Sequence, residues 1–120
     1  MSGAARDSVL LVEDDVGNAL TLSALLEDSG FRVDAVASLA ESRSQIRRAS
    51  YALILIDNQL GDGQGHELIP ELRQRLPAAR IILVCGERPA QLPHPVDALH
   101  LKGDAFSQLL GTIQRLLHTT

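Results

Sequence analysis

The sequence predicts an α/β fold: a (βα)5 doubly wound parallel sheet with helices on both faces. Three observations carry that reading. Strand-like apolar runs alternate with helical patterns five times along 120 residues. The runs Val9-Leu10-Leu11-Val12 and Leu53-Ile54-Leu55-Ile56 are apolar at every position, as parallel strands buried on both faces are. Each run ends abruptly in carboxylates, Glu13-Asp14-Asp15 after the first and Asp57 after the second. Strands alternating with helices imply right-handed crossovers.

Taken in order, Ser8 to Val12 reads as the first strand. Val16, Ala19, Leu20, Leu22, Leu25 and Leu26 form the apolar stripe of a first helix, with Asp15 as its N-cap and Gly30 as its C′ residue. Phe31 to Val36 alternates as an edge strand does. Ser38, with Glu41 three positions on, makes a capping box for a second helix running to about Arg48. Ala52 to Ile56 is the third strand. Asn58 to Gly65 is a loop with Gly61, Gly63 and Gly65. Leu68, Ile69, Leu72 and Leu76 mark a third helix that stops at Pro77, with Pro70 in its first turn. Arg80 to Val84 is a fourth strand and Val96 to Leu101 a fifth. Asp104 is the expected cap of a final helix carrying Phe106, Leu109, Leu110, Ile113, Leu116 and Leu117. The fourth crossover holds Gly86, Pro89, Pro93 and Pro95. Prolines there leave room for one helical turn at most, so the fourth helix is short or missing.

The length fits one domain, residues 8–118, after a flexible tail of residues 1–7. No apolar run approaches the ~18 residues of a membrane span, so no membrane partner is expected. A net charge of −4 argues against direct nucleic-acid binding. The lone Cys85 excludes an internal disulfide and fits a reducing cytoplasm. Of eleven basic residues, ten are arginine; the one lysine is Lys102, at the end of the fifth strand.

In a doubly wound sheet, ligands bind outside the carboxyl ends of the strands. Glu13, Asp14 and Asp57 fall there. Crowded carboxylates cannot all ionise without a compensating cation, and hard oxygen ligands favour Mg²⁺. A carboxylate in such a cluster can act as a nucleophile and form an aspartyl phosphate. Lys102 ends on the same edge and can pair with a phosphoryl oxygen. The set suits phosphoryl transfer, where catalysis is mostly positioning and charge neutralisation. The Gly61, Gly63 and Gly65 loop lacks dinucleotide spacing, because a glycine would be needed where His66 stands. The four histidines, His66, His94, His100 and His118, lack metal-ligand spacing.

Val12-Glu13-Asp14-Asp15 after strand one, Leu55-Ile56-Asp57 with Gly65 eight positions on, and Lys102 closing strand five resemble the receiver domain of two-component response regulators. The resemblance spans about Ser8 to Leu117. It implies a flavodoxin-like sheet of order 2-1-3-4-5, for which the chemotaxis receiver is a standard example. It also implies Mg²⁺ as cofactor. Asp57 would be the phospho-acceptor, charged from a histidine on a sensor kinase or histidine phosphotransfer protein. Asp14, Asp57 and the backbone carbonyl of Gln59 would coordinate the metal, with Glu13 holding a metal-bound water. Lys102 would pair with the phosphoryl group. A domain of this kind is a signalling module, catalysing only its own phosphorylation and dephosphorylation.

The sequence departs from that family at its switch. Cys85 stands where receivers carry Thr or Ser, and Leu99 where they carry an aromatic residue. Gly103 replaces the proline after the lysine, and Gly61 the proline four positions after the acceptor. The expectation is a phosphorylation pocket whose structural consequence is unusual and confined to the loops. One alternative is an interaction module of the same fold that signals without phosphorylation. Another is a Mg²⁺ phosphohydrolase of the haloacid dehalogenase type, but its acid/base aspartate would fall at Gln59, which cannot transfer protons that way.

Overall fold

The computed structural model describes residues 7–118; most of the predicted tail therefore lies outside the described residues. The elements are β1 (Ser8–Val12), α1 (Val16–Asp28), β2 (Arg32–Val36), α2 (Leu39–Arg48), β3 (Leu53–Asp57), β4 (Gln59–Leu60), β5 (Gly63–Gln64), a 3₁₀ turn at Gly65–Leu68 leading into α3 (Ile69–Arg75), β6 (Arg80–Cys85), β7 (Ala98–Leu101) and α4 (Phe106–Leu117). The main sheet is parallel, in the order β2-β1-β3-β6-β7. With the small β4-β5 hairpin set aside, this is the predicted order 2-1-3-4-5.

β1 and β3 lie side by side with Val9 opposite Leu53 and Val12 opposite Ile56. Both are buried along their whole length. The period-2 alternation of strand side chains divides the core in two. Leu10, Val12, Ile54, Ile56, Ile81 and Leu83 face α2 and α3, meeting Leu39, Ile46, Ile69 and Leu72. Val9, Leu11, Leu53, Leu55 and Ile82 face α1 and α4, meeting Leu26, Leu109, Ile113 and Leu116. Those of these aliphatic side chains that are fully buried contribute about 1.5–3 kcal/mol of burial free energy each. The result is a rigid floor under the strand ends.

Helix termini largely follow the sequence. The Asp15 carboxylate accepts the Asn18 N–H at 2.8 Å and caps α1. Gly30, at φ +98°, takes the left-handed position after it. Ser38 Oγ accepts the Glu41 N–H at 3.0 Å, and the Glu41 carboxylate accepts the Ala37 N–H. Pro70 sits in the first turn of α3, where its missing N–H costs nothing.

Three expectations are corrected. The apolar stripe of α1 is wider than its contact with the sheet: Leu26 is buried, but Val16 is 72% and Leu20 67% exposed. Asp104 does not cap α4; Ala105 holds the N-cap position, and its N–H donates to Gln108 Oε1. The fifth strand begins at Ala98 rather than Val96. Asp97 just before it exchanges hydrogen bonds with Ile81, its N–H to the Ile81 carbonyl and its carboxylate from the Ile81 N–H at 2.7 Å. That carboxylate also pairs with Arg73 and Arg80. The Asp7 carbonyl accepts the Arg32 N–H at 2.8 Å and so extends the β1–β2 ladder. The crossover from β6 to β7, Gly86 to Asp97, carries no helix; Leu92 and Val96 cover the core there instead.

Candidate functional site

Parallel pairing of β1 with β3 brings their carboxyl ends together. Glu13 follows β1 directly, and its N–H donates to the Val36 carbonyl, so it stays in the sheet. Asp57 is the last residue of β3. Glu13, Asp14 and Asp57 each offer a carboxylate oxygen, and these atoms lie within 4.8 Å of one another. Asp57 is 2% and Glu13 8% exposed, while Asp14 is open to solvent.

Both Asp57 oxygens are engaged. Oδ1 accepts the Gln59 N–H at 2.9 Å, and Oδ2 accepts Lys102 Nζ at 2.8 Å. Lys102 reaches the site because the N–H that follows β7 donates to the Cys85 carbonyl, fixing the strand end opposite Asp57. The hydrogen bond to Asp57 raises the Lys102 ammonium above its usual range, against the opposing effect of burial. Burial raises the Glu13 carboxyl, and the charge of Asp57 adds to the rise, although the Asp15 N–H at 3.1 Å opposes it. Two buried carboxylates and a third at their rim, sharing one ammonium, form a donor set of hard oxygens short of positive charge. That set fits Mg²⁺.

Glycine shapes the loop around this cluster. A Cβ on Gly65 would collide with the Asp57 carbonyl oxygen and lie 2.6 Å from Ile56 Cγ2. Its N–H donates to the Asn58 carbonyl at 2.9 Å. Asn58 Oδ1 accepts the His66 N–H, and the His66 ring pairs with Gln64 Oε1 at 2.6 Å. Gln59 meets Asp57 through its backbone N–H, and its side chain is exposed. Glu87 is exposed in the bend after β6.

The switch positions hold no hydroxyl and no aromatic ring. Cys85 ends β6 and is buried; burial, then the nearby Asp57 charge, pushes its thiol up. Leu99 is half-buried on β7 and packs against the core under α2 and α3. Beneath Lys102 a cleft of ≈ 330 Å³ separates α1 from α4, lined by Leu22, Leu25, His100 and Phe106 among others. Burial lowers His100, so the ring facing that cleft favours its neutral form.

Sequence reasoning missed two residues. Asn58 organises the loop from inside. Asp62, at the tip of the β4-β5 hairpin, accepts the Leu39 and Ala40 N–H groups of α2 at 3.0 and 3.1 Å. A two-residue strand has no periodicity to read. The only available signal was an acid between glycines.

The five-stranded parallel sheet thus carries its clustered acids at the switch point, with a lysine across from them. The chain belongs to the response regulator receiver domain family, whose model matches residues 9–106. It is 33% identical over 79 residues to the photosynthetic apparatus regulatory protein RegA of Rhodobacter capsulatus, covering 66% of this chain and 43% of RegA. It is 39% identical over 110 residues to the autoinducer 2 sensor kinase/phosphatase LuxQ of Vibrio parahaemolyticus, covering 92% of this chain and 13% of LuxQ. The chain thus spans less than half the length of these relatives. Among solved structures, a CheY-like receiver domain from Methanospirillum hungatei superposes with a TM-score of 0.86 at 26% identity, covering 97% of this chain and 94% of that one. TrrA from Thermotoga maritima, solved with Mg²⁺ and BeF, shares the fold with a TM-score of 0.84 at 22% identity, covering 92% of this chain and 98% of that one. The chain is therefore a receiver domain of two-component signal transduction. No helix among the described residues is long and apolar enough to cross a membrane.

Proposed function

We propose that this domain accepts a phosphoryl group on Asp57, in a Mg²⁺-dependent reaction, from a phosphohistidine on a sensor kinase or histidine phosphotransfer protein. One observation carries the reading: a nearly fully buried aspartate within a three-carboxylate cluster, with a lysine ammonium 2.8 Å from one of its oxygens. Asp14, Asp57 and the Gln59 carbonyl would hold Mg²⁺, with Glu13 on one of its waters; the ion supplies charge neutralisation for the phosphoryl oxygens.

The chain's own residues do the rest. An Asp57 oxygen attacks phosphorus in line as the P–N bond to the donor imidazole breaks and the imidazole leaves. Lys102 passes its hydrogen bond from Asp57 Oδ2 to a phosphoryl oxygen. The Gln59 N–H steadies the other carboxylate oxygen. Asp57 itself is almost fully buried, which strengthens these interactions.

Val16 and Leu20 lie exposed on α1, directly after the acidic cluster, a surface suited to a donor protein. The sensor-kinase relatives support a donor of that kind. We place the domain in the cytoplasm, with residues 8–118 acting as one unit.

Incubation with Mg²⁺ and a small phosphodonor, read by intact mass, tests this. The domain gains one phosphoryl group, and neither the chelated sample nor Asp57→Asn does. No gain, from a small donor or from a phosphorylated histidine phosphotransfer protein, overturns the reading. It would leave the phosphorylation-independent module, which Cys85 and the helix-free crossover favour.

A further inference from the structure

We propose that the β4-β5 hairpin is a lever joining the acidic cluster to the N-terminus of α2, with Asp62 as the positioning residue that ties the two. The inference rests on the reading of Asp57 as phospho-acceptor. It assigns the loop consequence that Cys85 and Leu99 leave without a hydroxyl or ring to carry it.

Contacts at three places define the lever. At its base, the Gln59 N–H donates to Asp57 Oδ1, and Gly65 packs against the Asp57 carbonyl. At its tip, Gly61 lies beside the acidic cluster: a Cβ there would lie 3.9 Å from Asp14 Oδ2. Beyond the tip, Asp62 accepts two N–H groups of α2, from Leu39 and Ala40. Those donors hold the Asp62 carboxyl below the usual carboxylate range. Gly63, at φ +148°, lets the hairpin close on α2, since a Cβ there would lie 2.7 Å from Leu39 Cδ1.

The first N–H groups of a helix have no partners within it. In α2, Ser38 serves Glu41, and Asp62 serves Leu39 and Ala40 from more than twenty residues away. A displaced hairpin tip must either carry α2's first turn with it or leave two donors unpaired. The charge that arrives beside Asp14 and Asp57 acts on that same tip. By linkage, whatever shifts the hairpin tip through the Asp62 tie also changes affinity at the cluster.

The test is amide NMR of the wild-type domain titrated with Mg²⁺ and then beryllofluoride, alongside Asp62→Ala and Ser38→Ala. Ser38→Ala removes an α2 cap without touching the hairpin. In wild type, Gln59, Leu39 and Ala40 all shift. In Asp62→Ala, Gln59 still shifts, Leu39 and Ala40 no longer follow it, and Mg²⁺ binds about 2- to 30-fold more weakly, the span of mutational effects on coupling. Ser38→Ala lowers thermal stability and leaves Mg²⁺ affinity unchanged. Wild-type Leu39 and Ala40 that stay still while Gln59 moves overturn the lever, even if Asp62→Ala does not fold. So does an Asp62→Ala variant with wild-type affinity. If neither Gln59 nor Lys102 responds, the phospho-acceptor reading itself fails, and the lever falls with it.

Discussion

Gly65→Ala isolates how tightly the acceptor loop is built. The added Cβ would strike the Asp57 carbonyl oxygen and sit 2.6 Å from Ile56 Cγ2. β3 cannot retreat, because β1 and β6 hydrogen-bond it on both sides, so the loop must lift. Overpacking of this kind costs about 1–3 kcal/mol. Lifting the loop also stretches the Gly65 N–H bond to Asn58 and the His66 N–H bond to Asn58 Oδ1, each worth about 0.5–1.5 kcal/mol net. Overlap between these terms leaves a loss on the order of 2–4 kcal/mol. Gly111 is the control: it lies in α4 with nothing within 4 Å of a Cβ, so Gly111→Ala gains about 1 kcal/mol from helix propensity. Urea unfolding of both variants reads the difference, and phosphorylation by a small donor slows only in Gly65→Ala. A Gly65→Ala protein within about 0.5 kcal/mol of wild type, the scatter of neutral surface changes, would refute the reasoning.

Other outcomes follow from the same geometry. Mg²⁺ at a hundredfold its dissociation constant adds about 2.7 kcal/mol by linkage, a rise in Tm on the order of 10 °C for a domain of this size; Asp14→Asn loses most of it, and a flat Tm in wild type contradicts the metal assignment. Tyr51 is the one tyrosine, and burial, with its hydrogen bond to Asp34, pushes its phenol up to about 12. Because the folded-state value lies above the unfolded one, its contribution to stability is present below pH 10.0 and is lost as pH rises toward 12. Phenolate absorbance in the native state should titrate near the upper value, and a midpoint at the ordinary tyrosine value would remove the argument. Cys85 is buried with a raised thiol, so it should react with a thiol reagent only at the rate of unfolding; rapid native labelling would show the β6 end to be open.

The sheet and half of the site were legible in the sequence for a physical reason. β1 and β3 are buried on both faces, so their runs carry no polar interruption, and the first polar residues after them had to lie at the strand ends. Position alone then put Glu13, Asp14, Asp57 and Lys102 on one edge. The remainder depended on pairings too short or too distant to leave a pattern. The β4-β5 hairpin rests on Gln59 opposite Gln64 and Leu60 opposite Gly63. Asp62 binds α2 across more than twenty residues. Asp97 takes over the start of β7 through Ile81 and two arginines. The α1 stripe misled in the other direction: Val16 and Leu20 continue the helical period but face outward.

The central claim is that Asp57, and no other carboxylate of the cluster, carries the phosphoryl group. Borohydride reduction of the phosphorylated domain converts an aspartyl phosphate to homoserine, and peptide mass mapping locates it. Homoserine at position 57 alone, dependent on Mg²⁺, is the expected result. Reduction at Asp14 or Glu13, or none in a domain that has gained phosphoryl mass, would contradict it.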